Sequence, residues 1–151
     1  MFQAEQLPSQ AGNVIDANTL KTEFVANGYI VHLFLENNAP TPQWTHTDFA
    51  AVEAGFTGYA PIELGGAGFL WNGPLLNSQD QIVLESAAAN FVATDAVTPQ
   101  NIGGWWIENT ATAVRRYGIF PIPLPMIAAM QFINMTLVEA PGLPGYADVN
   151  N

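Results

Sequence analysis

The side chains able to do chemistry are few in this chain, and their spacing decides what they can do. His46-x-Asp48 suits a pair of metal ligands, with His32 elsewhere as a third. Only two histidines and no cysteine are present, so no further nitrogen or thiolate can complete the set. Transition-metal sites carry a richer donor set, so no metal is expected and His32 is read as filling a strand face. Asp48 with Glu53, or Glu36 with Glu63, are carboxylate pairs of the type that hydrolyses glycosides. That reaction needs two carboxylates flanking a cleft, and thirteen acids in one chain make chance pairs common. Ser9, Ser78 and Ser86 stand in no Gly-x-Ser-x-Gly elbow. Gly65-Gly66-Ala67-Gly68 has no Lys-Ser or Lys-Thr after it and reads as a flexible turn, not a phosphate cradle. No calcium-loop pattern occurs. The Asn134-Met135-Thr136 glycosylation pattern falls inside an expected strand. The expectation is a protein that is not an enzyme and holds no metal or cofactor.

Aromatic and basic residues concentrate in one stretch, 101–120. Two of the four tryptophans and two of the three basic residues lie there. It reads as a hairpin with arms 103–107 and 113–120 and its turn at 108–111. Adjacent strand residues face opposite ways, so one of Trp105 and Trp106 belongs to the core and the other points outward or into an interface. The tryptophans also suit a sugar-stacking platform, but large aromatics in a weakly charged surface favour a subunit interface. Alternation likewise sends Arg115 and Arg116 to opposite faces. Two readings stay open for them: one pairs with a nearby acid such as Glu108, or one reaches an acid on a neighbouring subunit.

Charge bounds the partners. The net charge of -10 leaves no electrostatic footprint for nucleic acid or an anionic membrane. Charged residues are 11% of the chain, well below the roughly 25% of an ordinary soluble domain. With 49% hydrophobic residues, the surface must be largely neutral and partly apolar, the kind a partner covers. Met1–Glu5 lacks the basic start of a secretory leader. The uncharged stretch 117–138 is interrupted by Pro121, Pro123 and Pro125 and does not read as a membrane span.

The elements that must position these residues are mostly strands. Residues 1–13 read as an N-terminal arm, 14–140 as one domain and 141–151 as a Gly/Pro-rich tail. A short helix is expected at 16–24. The best strand is 29–37, with Val31, Leu33 and Leu35 on one face and Ile30, His32, Phe34 and Glu36 on the other. Apolar residues on both faces imply cover on both sides, or on one side by a partner. A second short helix within 44–56, capped at Thr47 or Asp48, is followed by an edge strand at 57–64. A strand at 69–71 leads into a turn at Asn72-Gly73-Pro74, and 81–84 is a further strand. Segment 86–94 fits helix or strand. The Pro-Ile-Pro-Leu-Pro segment and a last long strand at 128–139 follow the hairpin. The fold class is therefore all-β, a β-sandwich or jelly-roll-like domain of about seven short strands with one or two short helices and extended termini.

This layout resembles small β-sandwich virion proteins of tailed bacteriophages. The matching pieces are Val31-His32-Leu33-Phe34-Leu35-Glu36-Asn37, Ala39-Pro40-Thr41-Pro42, Ala54-Gly55-Phe56-Thr57-Gly58-Tyr59-Ala60-Pro61, Gly104-Trp105-Trp106-Ile107-Glu108-Asn109 and Gln131-Phe132-Ile133-Asn134-Met135-Thr136-Leu137. Gly104-Trp105-Trp106 stands where the pattern more often has tyrosines. The resemblance implies a non-enzymatic capsid decoration (cement) or tail-associated protein, made in the host cytoplasm and located in the virion. Its partners would be the major capsid protein or other virion proteins and further copies of itself, as a trimer or dimer. The alternative is a carbohydrate- or receptor-binding module at a tail or fibre tip. The expected contact residues are His32, Phe34, Trp105, Trp106, Arg115 and Arg116. Pro121, Pro123 and Pro125 are expected in an arm crossing to a neighbour.

Overall fold

The computed structural model describes residues 18–19, 21–22, 29–63, 71–76, 78, 82–86, 88–94, 99–126 and 130–139. The expected arm 1–13, the glycine cluster 65–68 and the tail 141–151 lie outside the described residues, as does most of the 16–24 helix. Asn18, Thr19, Lys21 and Thr22 are helical, and the Lys21 ammonium donates to the Gly73 carbonyl at 3.0 Å.

The strands are β1 (Ile30–Leu35), β2 (Ile62–Glu63), β3 (Trp71–Leu76), β4 (Ile82–Ser86), β5 (Ala89–Val92), β6 (Gln100–Glu108), β7 (Val114–Met126), β8 (Phe132–Met135) and β9 (Val138–Glu139). A short helix, α1 (His46–Ala50), lies between β1 and β2. Three antiparallel sheets result, in the orders β2-β1-β6-β7, β3-β4-β9 and β5-β8. The fold is all-β, as its alternating apolar pattern predicts.

The sheets are wrapped around a shared interior. Val31 and Leu33 of β1 and Ile102 and Ile107 of β6 meet Leu84 of β4, Phe91 of β5 and Ile133 of β8. The opposite face of the four-stranded sheet is also dry. Phe34, Trp106 and Val114 are covered there by Phe49 of α1. The two-faced apolar pattern of β1 is thus explained inside the chain, with its own helix as the second cover.

Several local expectations are corrected, each for a backbone reason. The helix cap is Thr45, whose N–H donates to the Asp48 carboxylate at 2.9 Å, so Asp48 sits at the third helical position instead of capping. Asn72-Gly73-Pro74 does not end β3. Gly73 takes φ +123° and the register shifts between Asn72 and Leu75, so the segment makes a bulge within a continuing strand. The hairpin turn begins after Glu108. The Asn109 side-chain carbonyl accepts from the Ala111 and Ala113 N–H groups at 2.9 and 3.0 Å, which closes the loop over 109–113 and leaves Glu108 in β6. Pro121, Pro123 and Pro125 form the far half of β7 instead of a free arm, with Asn101 opposite Pro125 and Ile102 opposite Leu124. β7 is the last strand of its sheet, which is where a strand tolerates residues without amide donors.

Candidate functional site

Register brings the chemistry together on the α1-covered face of the four-stranded sheet. His32 of β1 lies opposite Trp106 of β6, and Trp106 lies opposite Tyr117 of β7. Phe34 lies opposite Gly104 in the next row. Any Cβ on Gly104 would run into the Phe34 ring and the Gly118 carbonyl, so glycine is what lets the aromatic layer lie flat. Glu108 follows Trp106 by two residues, which puts it on the same face and diagonal to His32. α1 lies over these rows and contributes His46 and Phe49.

The result is a buried chain of ionisable groups. His32 Nδ1 is 2.6 Å from Glu53 Oε2, and its Nε2 is 2.9 Å from Glu108 Oε1. The second contact is an ion pair with bent geometry, not a well-aligned hydrogen bond. Glu108 Oε2 is 2.7 Å from His46 Nδ1, and the Trp106 indole N–H donates to Glu108 Oε1 at 3.3 Å. The Tyr59 hydroxyl donates to Glu53 at 2.6 Å and accepts from the Leu33 N–H at 3.1 Å. Glu53 is held there because the segment after α1 bridges the outer edge of β1, through the Ala54 N–H to the Leu33 carbonyl. Trp106 stacks on His32 at 4.4 Å between centroids and on Phe49 at 4.9 Å.

The electrostatics follow from this geometry. Burial by itself lowers the His32 pKa, but the close contacts and charges of Glu108 and Glu53 outweigh it and leave the imidazole above its ordinary value. Burial raises Glu108 and Glu53, and their bonds to the histidines and to Tyr59 reverse that, so both carboxyls lie below the ordinary range. Burial and the bond to Glu53 push the Tyr59 hydroxyl up, which keeps it a donor. An imidazole contacting a carboxylate through each nitrogen satisfies both only when both nitrogens carry protons. The two carboxylate contacts therefore favour the doubly protonated form of His32, which stacks on the face of Trp106.

The cluster joins some sequence candidates and separates others. His32 and His46 both reach Glu108, not a common metal position, and among the described residues no group of three His, Cys, Asp or Glu is placed to hold a metal ion. Glu53 is not paired with Asp48; its neighbouring carboxylate is Glu108 across His32. Glu36 accepts from the Asn101 amide at 2.7 Å, away from the exposed Glu63. Phe34 and Trp106 are fully buried and His32 is 8% exposed, so these three are core residues of the protomer and have no surface to give a partner. Trp105 is half-buried on the other face. Arg115 is an extra residue at a bulge between the Ile107 and Glu108 pairs, which breaks the alternation expected for the two arginines. Arg115 lies over the Tyr29 ring and Arg116 over the Trp105 ring, both on the main-core side. Arg116 also donates to the Val138 carbonyl at 3.1 Å.

A second feature is an uncharged apolar surface. Between its pairs with Ile102 and Gly104, β7 sets four residues, 120–123, against the single Gly103 of β6, with Phe120 packed on the core. Ile122 is 74% exposed there, with Ile119, Met130 and Phe132 also exposed. A cleft of about 420 Å³ beside it is lined by Leu124, Pro125, Met130, Gln131, Phe132 and Ile133. Comparison of the chain with protein-family models, with curated proteins and with solved structures finds no match.

Proposed function

We propose that this chain is a non-enzymatic virion structural protein of a tailed bacteriophage, a head decoration protein that associates with copies of itself and stabilises the shell through subunit contacts. The sequence resemblance supports the class. The exposed apolar surface of β7 and β8 supports the mechanism, and it is the observation that carries the reading. No residue from 117 to 138 is charged, in a chain of net charge -10. Two such chains repel over most of their surfaces, and this stretch is where they approach without opposing acids. Symmetric repetition then multiplies a modest contact into a stable lattice. A sugar-stacking module is less well supported, because Trp106 is buried and Trp44 and Trp105 are half-buried.

The test is the mass of the purified protein by light scattering, together with co-sedimentation with empty phage heads that lack it. Dimers or trimers that load onto heads and raise their heat tolerance are expected. A monomer that ignores heads overturns the reading.

A further inference from the structure

We infer that α1 is a pH-operated latch, held on the sheet by the His32–Glu108–His46 chain and released on both sides of a middle pH range. The latch is independent of assembly and works at the N-terminal end of α1, because just past its C-terminal end the chain is pinned to β1 by the Leu35 N–H on the Val52 carbonyl and the Ala54 N–H on the Leu33 carbonyl. α1 has five residues, too short to be stable alone. Its buried side chain is Phe49, and its polar tie to the sheet is His46 on Glu108.

Glu108 works only while His32 carries two protons. A neutral His32 has one N–H, and the shorter contact, to Glu53 at 2.6 Å, claims it. Glu108 then faces a lone pair at 2.9 Å and is driven away, taking His46 with it. On the acid side, protonation of Glu108 removes the charge that both imidazoles contact. The buried His32 cation then loses one of its two counter-charges. The directions of the shifts at His32, Glu53 and Glu108 agree with this account.

Other titratable and charged groups border the cluster. Tyr59 donates to Glu53, and Asp48 is engaged at the Thr45 N–H. Glu63 of β2 is exposed and shares the Ile30 row with Glu108. On β7, apolar Val114 lies opposite Glu108, and Arg115 and Arg116 lie over rings of the other face. Release would uncover Phe34, Phe49 and Trp106, an aromatic surface that is dry when the latch is shut.

Hydrogen exchange of the full chain tests this, read at the α1 amides and the Trp106 indole N–H and corrected for intrinsic exchange at each pH. The wild type is expected to protect both best in weakly acidic solution. Protection should fall on either side, by up to about tenfold per pH unit for one linked proton. The β4 and β5 amides should not follow. Glu108→Gln should flatten the α1 profile, because its amide can donate to a neutral His32 and its carbonyl can still accept from His46. The Trp106 indole loses its acceptor when the amide nitrogen takes the Oε1 position, so this variant is read at the α1 amides alone. His46→Ala should lose protection of α1 at every pH while β4 and β5 stay protected. A flat wild-type profile overturns the latch, and so does an alkaline loss that persists unchanged in Glu108→Gln.

Discussion

At the scale of single residues, the buried ionisable cluster dominates. Glu108 is 2% exposed and contacts both histidines and the Trp106 indole. Glu108→Ala leaves the His32 cation with Glu53 alone and His46 with no acceptor. Removing one partner of a buried pair costs about 3–5 kcal/mol, and a drop of that size is expected in urea unfolding followed by circular dichroism. An unchanged midpoint would show that the pair contributes nothing net. The cluster also sets the pH dependence of stability. His32 has a raised folded pKa, so its contribution is complete below its ordinary value of 6.5 and is lost as pH rises through the folded value. Glu53 and Glu108 have depressed folded values, so theirs is complete above the ordinary 4.5 and is lost as pH falls through those values. Stability is therefore expected to peak between 4.5 and 6.5, with the alkaline limb absent in His32→Leu. Little of this cluster was legible in the sequence. His32 was visible as a polar residue between apolar ones, and His46 as half of a His-x-Asp spacing. Their partner was not, because Glu108 reads equally well as the first turn residue of a hairpin. What separates the two readings is the Asn109 side chain, which starts the turn one residue later and keeps Glu108 in phase with Trp106.

At the scale of elements, β1 and the 101–120 hairpin were the most legible, since alternation and aromatic content mark them. The departures lie where glycine, proline or a side-chain hydrogen bond overrides the local pattern. Gly73-Pro74 is an ordinary turn signal, yet the pairing of β3 with β4 runs through it and absorbs it as a bulge. Segment 86–94 was ambiguous because alanine suits either state, and pairing with β8 makes its middle, Ala89–Val92, a strand. That same pairing ends the expected 128–139 strand early, and β9 joins a different sheet. Two substitutions probe how the hairpin is held. Thr112 has φ +63°, a left-handed conformation that a β-branched residue adopts at a cost. Thr112→Gly is expected to raise stability by about 1 kcal/mol, measured by thermal unfolding. Gly104→Ala should act in the other direction. Its methyl group meets the Phe34 ring and the Gly118 carbonyl, and an over-packed site of this kind costs about 1–3 kcal/mol. A neutral result at Gly104 would mean that β6 and β7 can separate without disturbing the aromatic layer.

At the scale of the whole molecule, the distribution of charge bears on the proposed self-association. Acids outnumber bases thirteen to three, and the exposed apolar residues of β7 and β8 lie in a stretch with neither. If copies meet there, the contact is apolar while the long-range force between copies is repulsive. Salt screens that repulsion over a Debye length of about 10 Å at 0.1 M and leaves apolar burial intact. Self-association should therefore strengthen with sodium chloride, the opposite of what an interface built on Arg115 or Arg116 ion pairs would show. Ile122 and Phe132 are 74% and 63% exposed, so charging them disturbs little of the folded chain. Ile122→Asp with Phe132→Glu is expected to abolish the proposed oligomer in sedimentation velocity while the melting temperature of the monomer stays within a few degrees. Each added acid opposes its own copy across a symmetric contact, so the two changes act on association far more than on the fold. An oligomer that survives both changes, or that weakens with salt, would place the contact elsewhere on the surface and return the arginines to consideration.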